Sequence, residues 1–185
     1  MIVHPYDAVI LAGGRARRMD HADKPGARVG DRSLLERVAD AVSDAEHLVV
    51  VGPPRPSPAA RYVREDPPGS GPVSALRVGL AEVRAPAVAL LAADMPFLAQ
   101  THLRPLWDAL ASRDGAVLGD ASAHPQWLAG VWRTDSLRSA LRHYTGGSLR
   151  GVLSGLDFAL VTDGGHAAFD CDTPEDLAEA RRRLR

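Results

Sequence analysis

The stretch AVALLAAD, residues 87–94, decides the fold. Seven apolar residues in a row leave no polar face, which suits a central strand of a parallel sheet covered on both sides. The run stops at a carboxylate, Asp94, so that group is expected at the strand's C-terminal edge. Working outward, residues 6–12 (YDAVILA) form a second apolar run, closed by Gly13 and Gly14. Residues 47–52 (HLVVVG) and 61–65 read as further strands. Between them lie helical patterns. Ser33 with Glu36 three residues on is a capping box ahead of a helix over 34–42. Pro72 opens another, with Val73, Leu76, Leu80 and Val83 on one stripe.

The second half continues the alternation: a helix over 101–112, strands over 116–118 and 127–132, helices over 134–144 and 148–156, and a strand over 158–161. The final helix, 173–184, starts at the capping box TPED with Pro174 at its first position. Strands alternating with helices predict an α/β protein, a single-domain three-layer sandwich over residues 1–185 with a mostly parallel sheet and helices on both faces. Such sheets bind ligands at the C-terminal ends of their strands. The Gly13–Gly14 turn and Asp94 are both expected there.

Composition narrows the function. The 185 residues carry 22 basic and 23 acidic side chains, a net charge of -1 with histidine neutral, so nothing global attracts nucleic acid or an anionic membrane. No apolar run could span a bilayer, and the N-terminus lacks the pattern of a signal peptide, so a cytosolic protein is expected. The single cysteine, Cys171, excludes a disulfide framework, and the seven histidines show no metal-ligand spacing.

All the basic residues are arginine except Lys24, ten residues after the glycine pair. An ammonium is a compact charge on a flexible stem, suited to a crowded phosphate site. With Arg15, Arg17 and Arg18 it makes a local positive patch, opposed by Asp20 and Asp23. The glycine turn can bring backbone N–H groups close to an anion. Neither the dinucleotide fingerprint nor the phosphate loop of kinases and GTPases is present.

Residues 11–25, LAGGRARRMDHADKP, closely resemble the signature of the MobA-like nucleotidyltransferases, in particular the molybdenum cofactor guanylyltransferases. The resemblance continues through Glu65 and Asp66, Gly71-Pro72-Val73, residues 93–97 (ADMPF), His124-Pro125 and residues 169–177 (FDCDTPEDL). It implies the nucleotide-diphospho-sugar transferase-like fold and transfer of GMP from GTP to the terminal phosphate of molybdopterin, with Mg2+ as cofactor. It also implies roles. Leu11, Ala12 and Gly13 would lie against base and phosphates, Gly14 would allow close approach, and Asp66 would hold the guanine or ribose end. Gly52 and Gly71 join the nucleotide contacts; Gly52 stands where the family often has a polar side chain, so that contact is lost or made through the backbone alone. Lys24 would contact the triphosphate, Asp94 would hold the metal, and Arg18 completes the catalytic candidates.

Two departures stand out. Asp20 replaces the family's glycine after RM, and Asp170 and Asp172 replace asparagines in the usual NVNTPED. Asp172 is then either a second metal ligand or a carboxylate favoured by the N-terminus of the last helix. The second glycine of AGG favours GTP over CTP by the same resemblance. Alternatives kept open are CTP or another phosphorylated acceptor, and a non-catalytic nucleotide-binding protein. His124-Pro125 is read as structural or acceptor-facing, Trp127 and Trp132 as core or a pterin-facing wall, and Cys171 as a small buried hydrophobe.

Overall fold

The computed structural model describes residues 5–13, 23–162 and 165–184. In chain order these form β1 (Tyr6–Leu11), β2 (Arg28–Val29), β3 (Arg32–Ser33), α1 (Leu34–Asp40), β4 (Leu48–Val51), β5 (Arg61–Val63), α2 (Pro72–Glu82), β6 (Ala87–Ala92), α3 (Gln100–Leu110), β7 (Gly115–Gly119), β8 (Pro125–Arg133), α4 (Thr134–His143), α5 (Leu149–Leu153), β9 (Phe158–Thr162) and α6 (Pro174–Arg183). Seven strands make one sheet in the order β5-β4-β1-β6-β8-β7-β9. Pairing is parallel except at β8, which runs against both β6 and β7. The mostly parallel α/β sandwich expected from the sequence is what forms.

Period-two alternation sorts the strand side chains between two cores. Ala8, Ile10, Ala89 and Leu91 face Leu35 and Val38 of α1 and Leu103 and Leu106 of α3. Val9, Leu11, Val88 and Leu90 face Leu76 and Leu80 of α2, with Leu137 of α4 and Val152 of α5 beyond. Both faces of β1 and β6 are therefore covered, as their uninterrupted apolar sequences require. Each fully buried leucine here contributes on the order of 2 kcal/mol. Helix α2 lies close against the sheet because of Gly79, where a Cβ would stand 2.7 Å from Val9 and 2.8 Å from Val51.

A smaller third cluster joins Val29, Leu34, Phe97, Cys171, Leu177 and Ala180 beneath α6. It docks α6 and the β2–β3 hairpin at the edge where β6 ends. At the opposite end of the sheet, buried Asp7 ties the start of β1 to the turn before β6. Its Oδ2 accepts from the Arg84 and Ala85 amides at 2.6 and 3.0 Å, and its Oδ1 lies 3.0 Å from His47 Nδ1. Asp7, Glu46 and His47 bring ligand atoms within 4.8 Å of one another, but the Asp7 oxygens are engaged, so this is a structural knot.

Several expectations are corrected. The helix expected over 148–156 shortens to Leu149–Leu153, because Ser154 caps it and Gly155 follows. Strand β8 starts two residues earlier than expected, at Pro125, and the β2–β3 hairpin was not foreseen. Trp132 is fully buried and packs on Gly115, where a Cβ would collide with its ring at 2.2 Å, so it is core and no wall for a pterin. Trp127 is half-buried, edge-on to Phe158 with ring centroids 5.1 Å apart. Among the described residues, no helix is long and apolar enough to cross a membrane.

Candidate active site

The C-terminal ends of β4, β1 and β6 are stitched together by main chain. The Ala12 amide donates to Val51 O at 2.9 Å, the Ala93 amide to Leu11 O at 3.2 Å, and the Gly52 amide to Val63 O at 2.9 Å. This brings Leu11, Ala12, Gly13, Gly52 and Asp94 onto one edge. A Cβ on Gly52 would press on the Ala12 carbonyl at 3.0 Å, so any larger residue there would push the strand ends a few tenths of an ångström apart. Since its N–H is already used by Val63, a nucleotide contact through that amide is unavailable. Next to this edge, buried Glu65 accepts from the Gly69 amide at 2.9 Å, and its Oε1 lies 4.0 Å from where a Gly13 Cβ would be. The turn before α2 is thereby held near the turn after β1.

Gly71 caps α2 with φ 98°, a left-handed conformation that glycine adopts without strain, and no atom lies within 4 Å of its Cβ position. The first amides of α2 thus begin at an open step. Asp66 is exposed just past β5. Three strand spacings separate the β5 edge from β6, about 14 Å.

At the other end of this edge the acidic and basic candidates meet. Lys24 Nζ lies 2.7 Å from Asp94 Oδ2 and 2.7 Å from Asp172 Oδ1. Local causes are visible for each side chain. Asp94 lies two residues past β6. The amide of Cys171 donates to Asp94 O at 3.0 Å, so the segment 170–172 runs beside residue 94 and delivers Asp172 to it. Cys171 itself is fully buried in the third cluster, anchoring that segment as a small hydrophobe. Burial first, then the charges of Asp94 and Asp176, push its thiol up to about 12. Lys24 sits in a turn whose carbonyl accepts from Ala27, and the Pro25 carbonyl accepts from Leu35 at the head of α1.

Thr173 caps α6 together with Asp176, and the Asp172 amide donates to Asp176 Oδ2 at 3.1 Å, whereas the Asp172 carboxylate points to Lys24. Burial works against the Lys24 charge, but the Asp94 and Asp172 carboxylates outweigh it and raise its pKa. The ammonium persists at neutral pH. Asp170 is raised too, by desolvation first and then by the Asp172 and Asp94 charges. Asp94 and Asp172 offer two hard oxygens converging on one cationic centre, which fits a small divalent ion completed by phosphate and water oxygens.

Gly14 and Arg18 lie outside the described residues, as do Arg15, Arg17 and Asp20. His124 is exposed in a turn where Asp120 Oδ1 accepts from the Ser122 and His124 amides at 2.8 and 2.9 Å, which accounts for it structurally. That turn joins β7 to β8 and so lies on the same edge of the sheet as Asp94, on its other half. Sequence reasoning missed Glu65 as a buried contact of the glycine turn, and missed Arg55, which grips Asp23. In a chain whose basic residues are nearly all arginine, no signal marked that one.

Comparison with known proteins identifies the family. The MobA-like NTP transferase domain matches residues 8–161. The chain belongs to that family. A probable molybdenum cofactor guanylyltransferase from Natronomonas pharaonis is 31% identical, with 95% of this chain and 96% of the relative covered. Among solved structures, the Archaeoglobus fulgidus molybdopterin-guanine dinucleotide biosynthesis protein A superposes with TM-score 0.74 at 19% identity, covering 96% of this chain and 98% of that one. The Thermus thermophilus 2-C-methyl-D-erythritol 4-phosphate cytidylyltransferase does so with TM-score 0.76 at 20% identity, covering 96% and 98%. At these identities the structures share the fold alone. As a MobA-like NTP transferase the chain is a nucleotidyltransferase, and its fold is one that a cytidylyltransferase also uses.

Proposed function

We propose that this protein transfers GMP from GTP to the terminal phosphate of molybdopterin, with Mg2+, releasing pyrophosphate. The observation that carries the reading is the convergence of Lys24 with Asp94 and Asp172 at the end of β6. The nucleotide lies across the strand ends, with its base and ribose toward Asp66 and Gly71 and its phosphates toward Lys24. The span of about 14 Å from the β5 edge to β6 matches a nucleoside triphosphate stretched from base to γ-phosphate. Leu11, Ala12 and Gly13 form its floor.

The chemistry asks little covalent work of the protein. An oxygen of the acceptor phosphate bonds to the α-phosphorus as the bond to the bridging oxygen of the β-phosphate breaks, and pyrophosphate leaves. The acceptor oxygen is already ionised, so no general base is needed. Lys24 neutralises charge on the triphosphate, which is worth most in a partly desolvated cleft. Asp94 and Asp172 would hold Mg2+, which supplies further neutralisation of the oxygens around the α-phosphorus. The acceptor approaches from the β8–β7 half of the edge, past the turn at residues 120–124.

Pyrophosphate release measured with GTP, CTP, UTP and ATP, each with Mg2+ and molybdopterin, tests this. Turnover selective for GTP supports the proposal. Turnover with CTP alone, or only with another phosphorylated acceptor, replaces its substrates, and GTP binding without turnover would make the chain a nucleotide-binding protein.

A further inference from the structure

The residue just before Lys24 is itself anchored. Asp23 is gripped by Arg55, which stands 32 residues away in the proline-rich loop after β4. Arg55 Nη1 donates to Asp23 Oδ2 at 2.6 Å and Nη2 donates to Asp23 Oδ1. Two parallel bonds from a planar fork fix direction as well as distance. The guanidinium is well covered, its side chain 18% exposed, and among the described residues its buried Nε has no hydrogen-bond partner.

Gly26 is part of the same arrangement. A Cβ there would stand 2.1 Å from Asp23 Oδ2 and 2.7 Å from Arg55 Nη1, so the pair closes only over a glycine. The Gly26 amide donates to Asp23 O at 3.2 Å and the Ala27 amide to Lys24 O at 3.0 Å, completing the turn. Lys24 is thus the next residue along from a side chain bolted to the β4 end of the sheet.

The consequence concerns the loaded enzyme. In the structure Lys24 is also held by Asp94 and Asp172, but those carboxylates are the ones a metal would take. Once the ammonium turns to phosphate, the turn still fixes where Lys24 starts from. We infer that Arg55, through Asp23 and over Gly26, is a positioning residue that aims Lys24 at the triphosphate. This inference rests on the proposed function.

Steady-state pyrophosphate release by Lys24→Ala, Arg55→Ala, Arg55→Lys, the near-isosteric Asp23→Asn and the double variant Lys24→Ala/Arg55→Ala tests it, with thermal melting as a check on folding. Arg55→Ala and Asp23→Asn should lower kcat by roughly tenfold or more, with KM for GTP changed far less, because a misaimed group costs transition-state contact first. Arg55→Lys should fail to rescue, since an ammonium cannot make the fork. In the Lys24→Ala background, loss of Arg55 should cost nothing further. Wild-type kcat in both Arg55→Ala and Asp23→Asn, or penalties of Arg55 and Lys24 that multiply, would overturn the inference. Multiplying penalties with a raised KM would mean Arg55 touches the nucleotide itself. If Lys24→Ala were fully active, the proposed function would fall instead; if it collapsed while Arg55→Ala did not, only the clamp would.

Discussion

Two carboxylates on one ammonium set the behaviour of single residues at this site. Asp94 lies two residues past the central strand, whereas Asp172 lies in a segment outside the sheet that the Cys171 amide ties to Asp94 O, so Asp94 is the more firmly placed of the two. Asp94→Asn is expected to lower kcat about a hundredfold, as loss of a charge-stabilising group does, and Asp172→Asn distinctly less; equal rates for both in pyrophosphate release would contradict that ranking. The Cys171 thiol, pushed to about 12 by burial and then by Asp94 and Asp176, is expected to resist an aromatic disulfide reagent at pH 8 in native protein and to react on unfolding. Rapid native labelling would show that the segment 170–172 opens. Lys24 and Asp94 were legible in the sequence because one is a lone lysine and the other ends an apolar run. Arg55 was not, because its partner is chosen by folding across 32 residues. Asp172 was half legible: its place before the TPED cap is local, but its direction is set by the tertiary bond from Cys171.

At the level of elements, apolar period and caps carried most of the information. Ser33 with Glu36 and Thr173 with Asp176 start α1 and α6 as the sequence indicates. The β2–β3 hairpin escaped because two-residue strands hold no periodicity, and the reversal of β8 escaped because an apolar run buried on both faces reads alike in either direction. Gly79 in α2 shows how an element fits its neighbours. Gly79→Ala gains helix propensity but drives a methyl into Val9 and Val51, so a net destabilisation of about 1–3 kcal/mol is expected from overpacking. Denaturant unfolding measures it, and a stabilised variant would show that α2 can slide outward. Since α2 begins at Gly71, a shift of that helix should also raise KM for GTP.

Taken whole, the molecule is fastened by carboxylates at both ends of its sheet, Asp7 at the start of β1 and Glu36 beside the loop after β4. Burial works to raise the Asp7 carboxyl, but the Arg84 and Ala85 amides and then His47 outweigh it and lower its pKa. Glu36 is lowered to about 2 by the Ser33 amide, then the Ser57 and Ser33 hydroxyls. A carboxyl depressed in the folded state contributes stability that is fully present above its unfolded pKa, about 4. That contribution fades as pH falls toward the folded value. The melting temperature is therefore expected to hold near neutrality and fall below about pH 4. Glu36→Gln should flatten part of that fall, and an unchanged acid limb would remove Glu36 from the account.

The proposed reaction turns on Lys24 and a divalent cation at Asp94 acting on one triphosphate. Its most direct test is turnover with GTP, Mg2+ and molybdopterin, comparing Lys24→Ala, Asp94→Asn and the double variant, with metal withdrawn and restored. The expected result is metal-dependent turnover in the parent, a loss of about a hundredfold or more in each single variant, and a double variant little worse than either. Full activity of Lys24→Ala, or turnover indifferent to chelation, would contradict it.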